Sequence, residues 1–212
     1  METSKIIGSP IRGEWAIFNP PGHPKLAYDF LAVDKNKSPY IKGSFARHLF
    51  SFISVESTYT WSKAIYSPVD GTVEESHDGE LDRIKISFIY DLFRLLINKP
   101  KESGGFGPFG GNHVMIKSEG YYLLLCHLKK DSILVKKGEV IKAGQKIGEA
   151  GNSGSSIQPH LHIQAMNNNQ YFPLFKNLLP FKIDFGKVKK DDGWEDKKNI
   201  ELTNGGHYEF GG

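Results

Sequence analysis

The 212-residue chain has a single cysteine, Cys126. That excludes an internal disulfide framework and any zinc site built on cysteines. Long apolar runs are missing too. The longest obvious one, YYLLLC at 121–126, falls far short of the roughly 20 residues that a membrane-spanning helix needs. Nor is there an excess of charge of one sign: 27 Lys+Arg stand against 24 Asp+Glu, a net charge of +3. The basic residues are scattered, so the electrostatic footprint of a nucleic-acid-binding protein is absent. The opening METSKIIGSPIRGEW has one early lysine but no apolar block behind it, which is not the form of a secretion signal. On its face this reads as a cytoplasmic chain or a processed one.

What the sequence has is glycine and aromatic residues. The 23 glycines are about 11% of the chain against a usual ~7%, and 14 Phe, 9 Tyr and 3 Trp accompany 39% hydrophobic and 24% charged residues. Many of the glycines fall between short apolar pieces, as in ILVKKGEVIKAGQKIGEAGNSGSS (133–156), the punctuation of a mainly β domain. AIYSPVDGTVEE (64–75) places a turn before a strand, and HVMIKS and YYLLLCHL flank Glu119-Gly120, a two-residue hairpin connection. PHLHIQAM (159–166) alternates His160, His162 and Gln164 with Leu161, Ile163 and Ala165, predicting a strand with one wet and one dry face. Helical spacing of Phe88, Leu92, Leu95 and Leu96, closed by Lys99-Pro100, predicts one amphipathic helix from Ile84 to Ile97. A loop carrying Phe106 and Phe109 follows. Residues 35–61 carry no firm pattern, and 187–212 read as a charged, peripheral extension of a single domain over 1–186.

The chemistry-bearing residues are histidines. In His160-Leu161-His162 strand periodicity puts both imidazoles on one face, about 6.5 Å apart. His127 ends another predicted strand, where alternation turns Cys126 to the opposite face as a small core hydrophobe. HPKLAYDF supplies His23 and Asp29. Three imidazoles and a carboxylate form a credible set for zinc, and a site with three protein ligands keeps a fourth position open. No H-E-x-x-H occurs, so a helix-borne glutamate base is absent and histidine must manage proton transfer. GNSGSSIQPH is explained as a turn, because a phosphate-cradling loop needs a following helix. Ser153, Ser155 and Ser156 lack the elbow motif of a serine nucleophile.

In order along the chain, GEW, the H…YDF segment, SPVDGTV, GGNHVMIKS, YYLLLCHL, VKKGEVIKAGQKIGEAGNSG and PHLHIQ resemble the lysostaphin-like (LytM-type) zinc endopeptidase family. The resemblance covers about residues 12–76 and 110–182. It implies a mainly β fold of two antiparallel sheets forming a groove, and cleavage of peptide bonds in bacterial peptidoglycan. It makes His23, Asp29 and His162 the ligands of Zn2+ and His127 and His160 the catalytic pair, in a monomer of the cell envelope or a secreted enzyme. Asn112 and His113 match only as residues at a strand start, and His48, His77 and His207 match nothing and read as solvated surface. The chain departs from the family in two ways. Five residues separate His23 from Asp29 where three are common, so the loop between them must bulge. About 35 residues, 76–109, are inserted where the family joins two strands tightly, and they are placed to roof or narrow the groove. A non-catalytic scaffold of the same fold that binds cell-wall peptides or activates a hydrolase, and a histidine phosphocarrier, are the competing functions.

Overall fold

A computed structural model describes residues 3–20, 23–34, 41–97, 105–174 and 176–211. The first half contains β1 (Lys5–Ile7), β2 (Gly13–Ile17), β3 (Ala27–Ala32), α1 (Phe45–Phe50), β4 (Ile53–Ser54), β5 (Ala64–Tyr66), β6 (Gly71–His77), β7 (Lys85–Ile86), α2 (Phe88–Ile97) and α3 (Gly107–Gly110). The second half contains β8 (Asn112–Ser118), β9 (Tyr121–Leu128), β10 (Val140–Ile141), β11 (Lys146–Glu149), β12 (Leu161–Met166), β13 (Leu178–Leu179), β14 (Phe181–Lys190), β15 (Gly193–Ile200) and β16 (His207–Phe210).

The mainly β architecture that the glycine punctuation predicts is present. Ten strands follow one path, β1-β14-β16-β2-β3-β12-β9-β8-β6-β10, with β13 on β12 and β15 on β14; β11-β5 and β4-β7 form two small sheets. The large sheet is mixed, because β1 joins β14 in parallel. The hairpin at Glu119-Gly120 forms between β8 and β9, with Gly120 at φ +75°, a conformation that glycine adopts without a Cβ penalty.

Both faces of the central strands are covered. One packs on the main core, including Trp15, Phe30, Leu123, Leu125, Leu161 and Ile163. The other carries a smaller cluster of Phe106, Met115, Leu124, Cys126 and Met166. Every residue of β12 is therefore buried, and the face expected to be wet is the floor of a cleft.

Three differences from the sequence pattern matter for the site. The helix expected over 84–97 starts only at Phe88 as α2, because Lys85 and Ile86 pair with β4 as a strand, and α1 and α3 join it; α1 lies in the unpatterned 35–61 stretch, where the Ser44 side chain caps its N-terminus by accepting from Arg47 N. Lys99 and Pro100 lie outside the described residues. Within the stretch expected to be peripheral, β15 is a largely exposed strand paired with β14, but β16 is built into the sheet between β14 and β2, with the alternating Tyr208 and Phe210 in the main core.

Candidate active site

Strand register builds the centre of the site. His162 on β12 lies directly opposite Asp29 on β3 and Cys126 on β9, so all three side chains leave the same face of the sheet. His162 Nδ1 lies 2.8 Å from Asp29 Oδ1. His23 arrives from the loop before β3, where its N–H donates to Pro20 O at 3.0 Å and Ala27 N–H donates to Pro24 O at 3.3 Å. The first bond turns the chain into His23, and the second folds the residues between His23 and Asp29 back on themselves. They leave His23 Nε2 3.2 Å from Asp29 Oδ1 and 3.3 Å from His162 Nδ1.

The tautomers follow from the partners of the other ring nitrogens. His23 Nδ1–H donates to Pro24 O at 3.1 Å, and His162 Nε2–H donates to the Gln164 side-chain carbonyl at 3.1 Å. Three lone-pair atoms, two nitrogens and one carboxylate oxygen, then face one another in a buried place, an arrangement that a cation resolves. Their separations approach the roughly 3.4 Å expected between ligand atoms around a tetrahedral zinc with bonds near 2.1 Å. His23, Asp29 and His162 thus fit a metal ion. Burial alone would raise the Asp29 carboxyl. The facing His160 and the hydrogen bonds with His162 and His23 instead hold it well below the usual carboxylate range. Burial works against protonated His162, yet the Asp29 carboxylate outweighs it and raises the imidazole.

His127 and His160 stand beside this group. Their ring centroids are 4.6 Å apart, and His160 Nε2 lies 3.5 Å from Asp29 Oδ1. His127 Nδ1–H donates to Ser153 O at 2.9 Å and His160 Nδ1–H to Gln158 O at 2.8 Å, so each ring keeps an Nε2 lone pair. Burial lowers both imidazoles, His127 strongly, and neighbouring histidines add to the effect. Both are neutral near pH 7, as a proton acceptor must be.

Strand alternation misplaces Cys126. The register between β8 and β9 shifts near their ends, with one more residue on β9 than on β8, and His127 takes φ +60°. A histidine in that region costs of order 1–3 kcal/mol and persists only where its surroundings hold it; Gly151 N–H donates to its carbonyl at 3.0 Å. The bulge rotates His127 onto the face that Cys126 already occupies, so both line the cleft. Burial and the nearby Asp29 push the Cys126 thiol well up, leaving it protonated.

The cleft has a volume of about 250 Å³, and Phe18, Leu31, Phe109 and Ile157 are its apolar walls. Phe109 comes from the end of the insertion. Next to it Phe106 stacks on Tyr171, with centroids 4.0 Å apart, and meets His113 edge-on. His113 itself is engaged elsewhere than with His23, Asp29 and His162, with Nδ1 bonded to Gly111 O at 2.7 Å and Nε2 3.1 Å from the Tyr171 hydroxyl. His48, read as solvated, is fully buried against Phe88, because α1 packs on α2. His77 stays half-exposed, stacked on His113, and His207 is half-buried in β16.

Sequence reasoning gave no supporting role to the residues that hold this set in place. Gln164 fixes the His162 tautomer, and its position two residues along the H-x-H strand was the available signal. Asn112 is fully buried; its side-chain oxygen accepts from Gly79 N and Glu80 N, and its amide donates to Glu80 O and Leu128 O. No local pattern announces such a joint.

Residues 99–173 match the model of Peptidase family M23. That span includes His127, His160 and His162 and stops short of His23 and Asp29. The chain is 40% identical to the peptidoglycan DD-endopeptidase ShyB of Vibrio cholerae over 73 residues, 34% of this chain and 17% of that protein. It is 34% identical to lysostaphin of Staphylococcus simulans over 107 residues, 46% of this chain and 21% of that one. The solved catalytic domain of lysostaphin from Staphylococcus simulans is similar at a TM-score of 0.41 and 17% identity, covering 75% of this chain and 84% of that one. The chain spans about a fifth of the length of these curated relatives.

Proposed function

We propose that this chain, similar to Peptidase family M23 over its central segment, is a zinc-dependent endopeptidase acting on peptide bonds of bacterial peptidoglycan. One observation carries the reading: three lone-pair atoms of His23, Asp29 and His162 converge beside two neutral histidines in the same cleft. The similar Vibrio and Staphylococcus proteins support the substrate class, the first being named a peptidoglycan DD-endopeptidase.

Bound zinc supplies Lewis acidity for the scissile carbonyl and makes water a better nucleophile near neutral pH. The protein's own groups do the rest. Phe18, Leu31, Phe109 and Ile157 flank the reacting bond and exclude bulk water, which strengthens each electrostatic contact inside. One Nε2 lone pair, from His127 or His160, takes the proton of the attacking water. The resulting imidazolium stabilises developing negative charge or delivers the proton to the leaving amine. Backbone carbonyls on both Nδ1 atoms keep these rings in the tautomer that the work requires.

The test is metal analysis of protein purified without added zinc, together with a digest of purified peptidoglycan resolved by chromatography. One zinc per chain, lost in His162→Ala along with new muropeptide peaks, is expected. Full zinc occupancy in His162→Ala after dialysis against a weak chelator would overturn the ligand set.

A further inference from the structure

The insertion carries a second polar network, remote from the metal ligands and joined to His160 through one residue. Asp91 in α2 is fully buried. Its Oδ1 accepts from Arg94 Nε at 3.4 Å and from Arg83 Nη1, and its Oδ2 accepts from Ser87 N at 3.0 Å. Both guanidiniums then donate to the same backbone oxygen, Ser156 O: Arg94 through Nη2 at 2.9 Å and Arg83 through its own Nη2. On the other side of that residue, the Ser156 hydroxyl donates to Gln158 O at 2.7 Å and lies 3.1 Å from His160 Nδ1. Gln158 O is the acceptor that fixes the His160 ring.

The helix that delivers Asp91 and Arg94 has a mixed inward side, on which Phe88 and Leu92 are partly buried beside Asp91, with Phe88 against His48. Asp91 and Arg94 turn toward the body of the protein, while Ile89, Tyr90, Phe93 and Ile97 are each at least half-exposed. Exposing four large apolar side chains is unfavourable, and burying a carboxylate is costly unless it is paired and hydrogen-bonded. The orientation is held by the packing of Phe88 on His48 and by what Asp91 and the two arginines bind.

We propose that Arg83, Asp91 and Arg94 are positioning residues for His160. They clamp the Ser156 carbonyl, so that the Ser156 hydroxyl and the Gln158 carbonyl hold the His160 ring with its Nε2 toward the cleft. The insertion is then a buttress behind the catalytic loop. Its catalytic consequence rests on the reading of His160 as a proton-transfer group; the ring orientation does not.

The test uses the zinc-loaded full chain and Arg94→Met, Arg83→Met/Arg94→Met and Ser156→Ala. Each is assayed on whichever of a pentaglycine peptide or a D-alanyl cross-linked muropeptide dimer the wild type cleaves. The expected result is stoichiometric zinc, KM within about twofold, and kcat down about tenfold or more. In ¹⁵N-histidine spectra the His160 Nδ1–H signature should be lost or averaged. Arg94→Lys, which keeps a cation and a donor, should recover much of both. Combining Ser156→Ala with Arg94→Met should lose no more kcat than the worse single variant, because both act through one turn. Unchanged kcat per zinc-loaded molecule with only a lower melting temperature would overturn the proposal, as would additive kcat losses. Should the double arginine variant fail to fold, Ser156→Ala, which leaves the Asp91 network untouched, decides by the same readings. Absence of wild-type cleavage, or full turnover in His160→Ala, would sink the endopeptidase reading; the His160 signature in Arg94→Met still decides the positioning.

Discussion

Gln164→Leu isolates what one hydrogen bond contributes to the proposed metal site. Gln164 is 5% exposed and touches none of the three ligand atoms facing the centre; its side-chain carbonyl accepts His162 Nε2–H at 3.1 Å. Leucine keeps most of the volume and removes the acceptor. The buried Nε2–H is then unsatisfied, at a cost of about 1–3 kcal/mol. His162 can escape that cost by moving its proton to Nδ1, where Asp29 Oδ1 waits 2.8 Å away. In that tautomer the lone pair that would bind zinc is gone. Either route weakens the metal, and loss of such an outer partner typically costs about 10–100-fold in affinity, roughly 1.4–2.7 kcal/mol. Competition against a chromophoric chelator at fixed pH gives the apparent Kd. Gln164→Glu, which retains an acceptor, should stay near wild type. If Gln164→Leu folds and binds zinc as tightly as wild type, the tautomer argument is wrong.

His127→Ala and His160→Ala should each keep zinc and fold yet lose about 10²-fold or more in kcat, read by metal analysis and single-substrate kinetics; loss of metal in either would reassign it as a ligand. Because burial lowers both imidazoles, they take up protons only below the ordinary value of about 6.5, so turnover should hold as pH falls through that value and drop at lower pH. An acid limb centred above 6.5 in a kcat profile would contradict this. Gly111 has φ +65°, and a Cβ there would sit 2.6 Å from the Ser153 carbonyl carbon. Gly111→Ala should therefore destabilise by about 1–3 kcal/mol. Calorimetry should show a melting temperature lower by several degrees, and an unchanged one would mean that the loop around Ser153 yields freely.

The sequence by itself determined the mainly β class, the hairpin at Glu119-Gly120, the helix over 88–97 and the short roster of histidines from which a site is made. These are properties of local periodicity, which a single strand or helix expresses without its neighbours. The closure of His23 onto Asp29 depended on bonds among Pro20, His23, Pro24 and Ala27 that spacing alone does not reveal. The side taken by His127 depended on an extra residue in β9, so alternation put Cys126 on the wrong face. His48 was hidden because α1 has no pattern of its own, and only its packing on Phe88 of α2 buries that side chain. α2 shows the limit most clearly. Its periodicity gives an apolar and a polar face, but which face turns inward is decided by where partners lie. Here Arg83 and Arg94 meet a backbone carbonyl beside the cleft and pair with Asp91, which is buried alongside Phe88 and Leu92 while Ile89, Tyr90, Phe93 and Ile97 stay exposed.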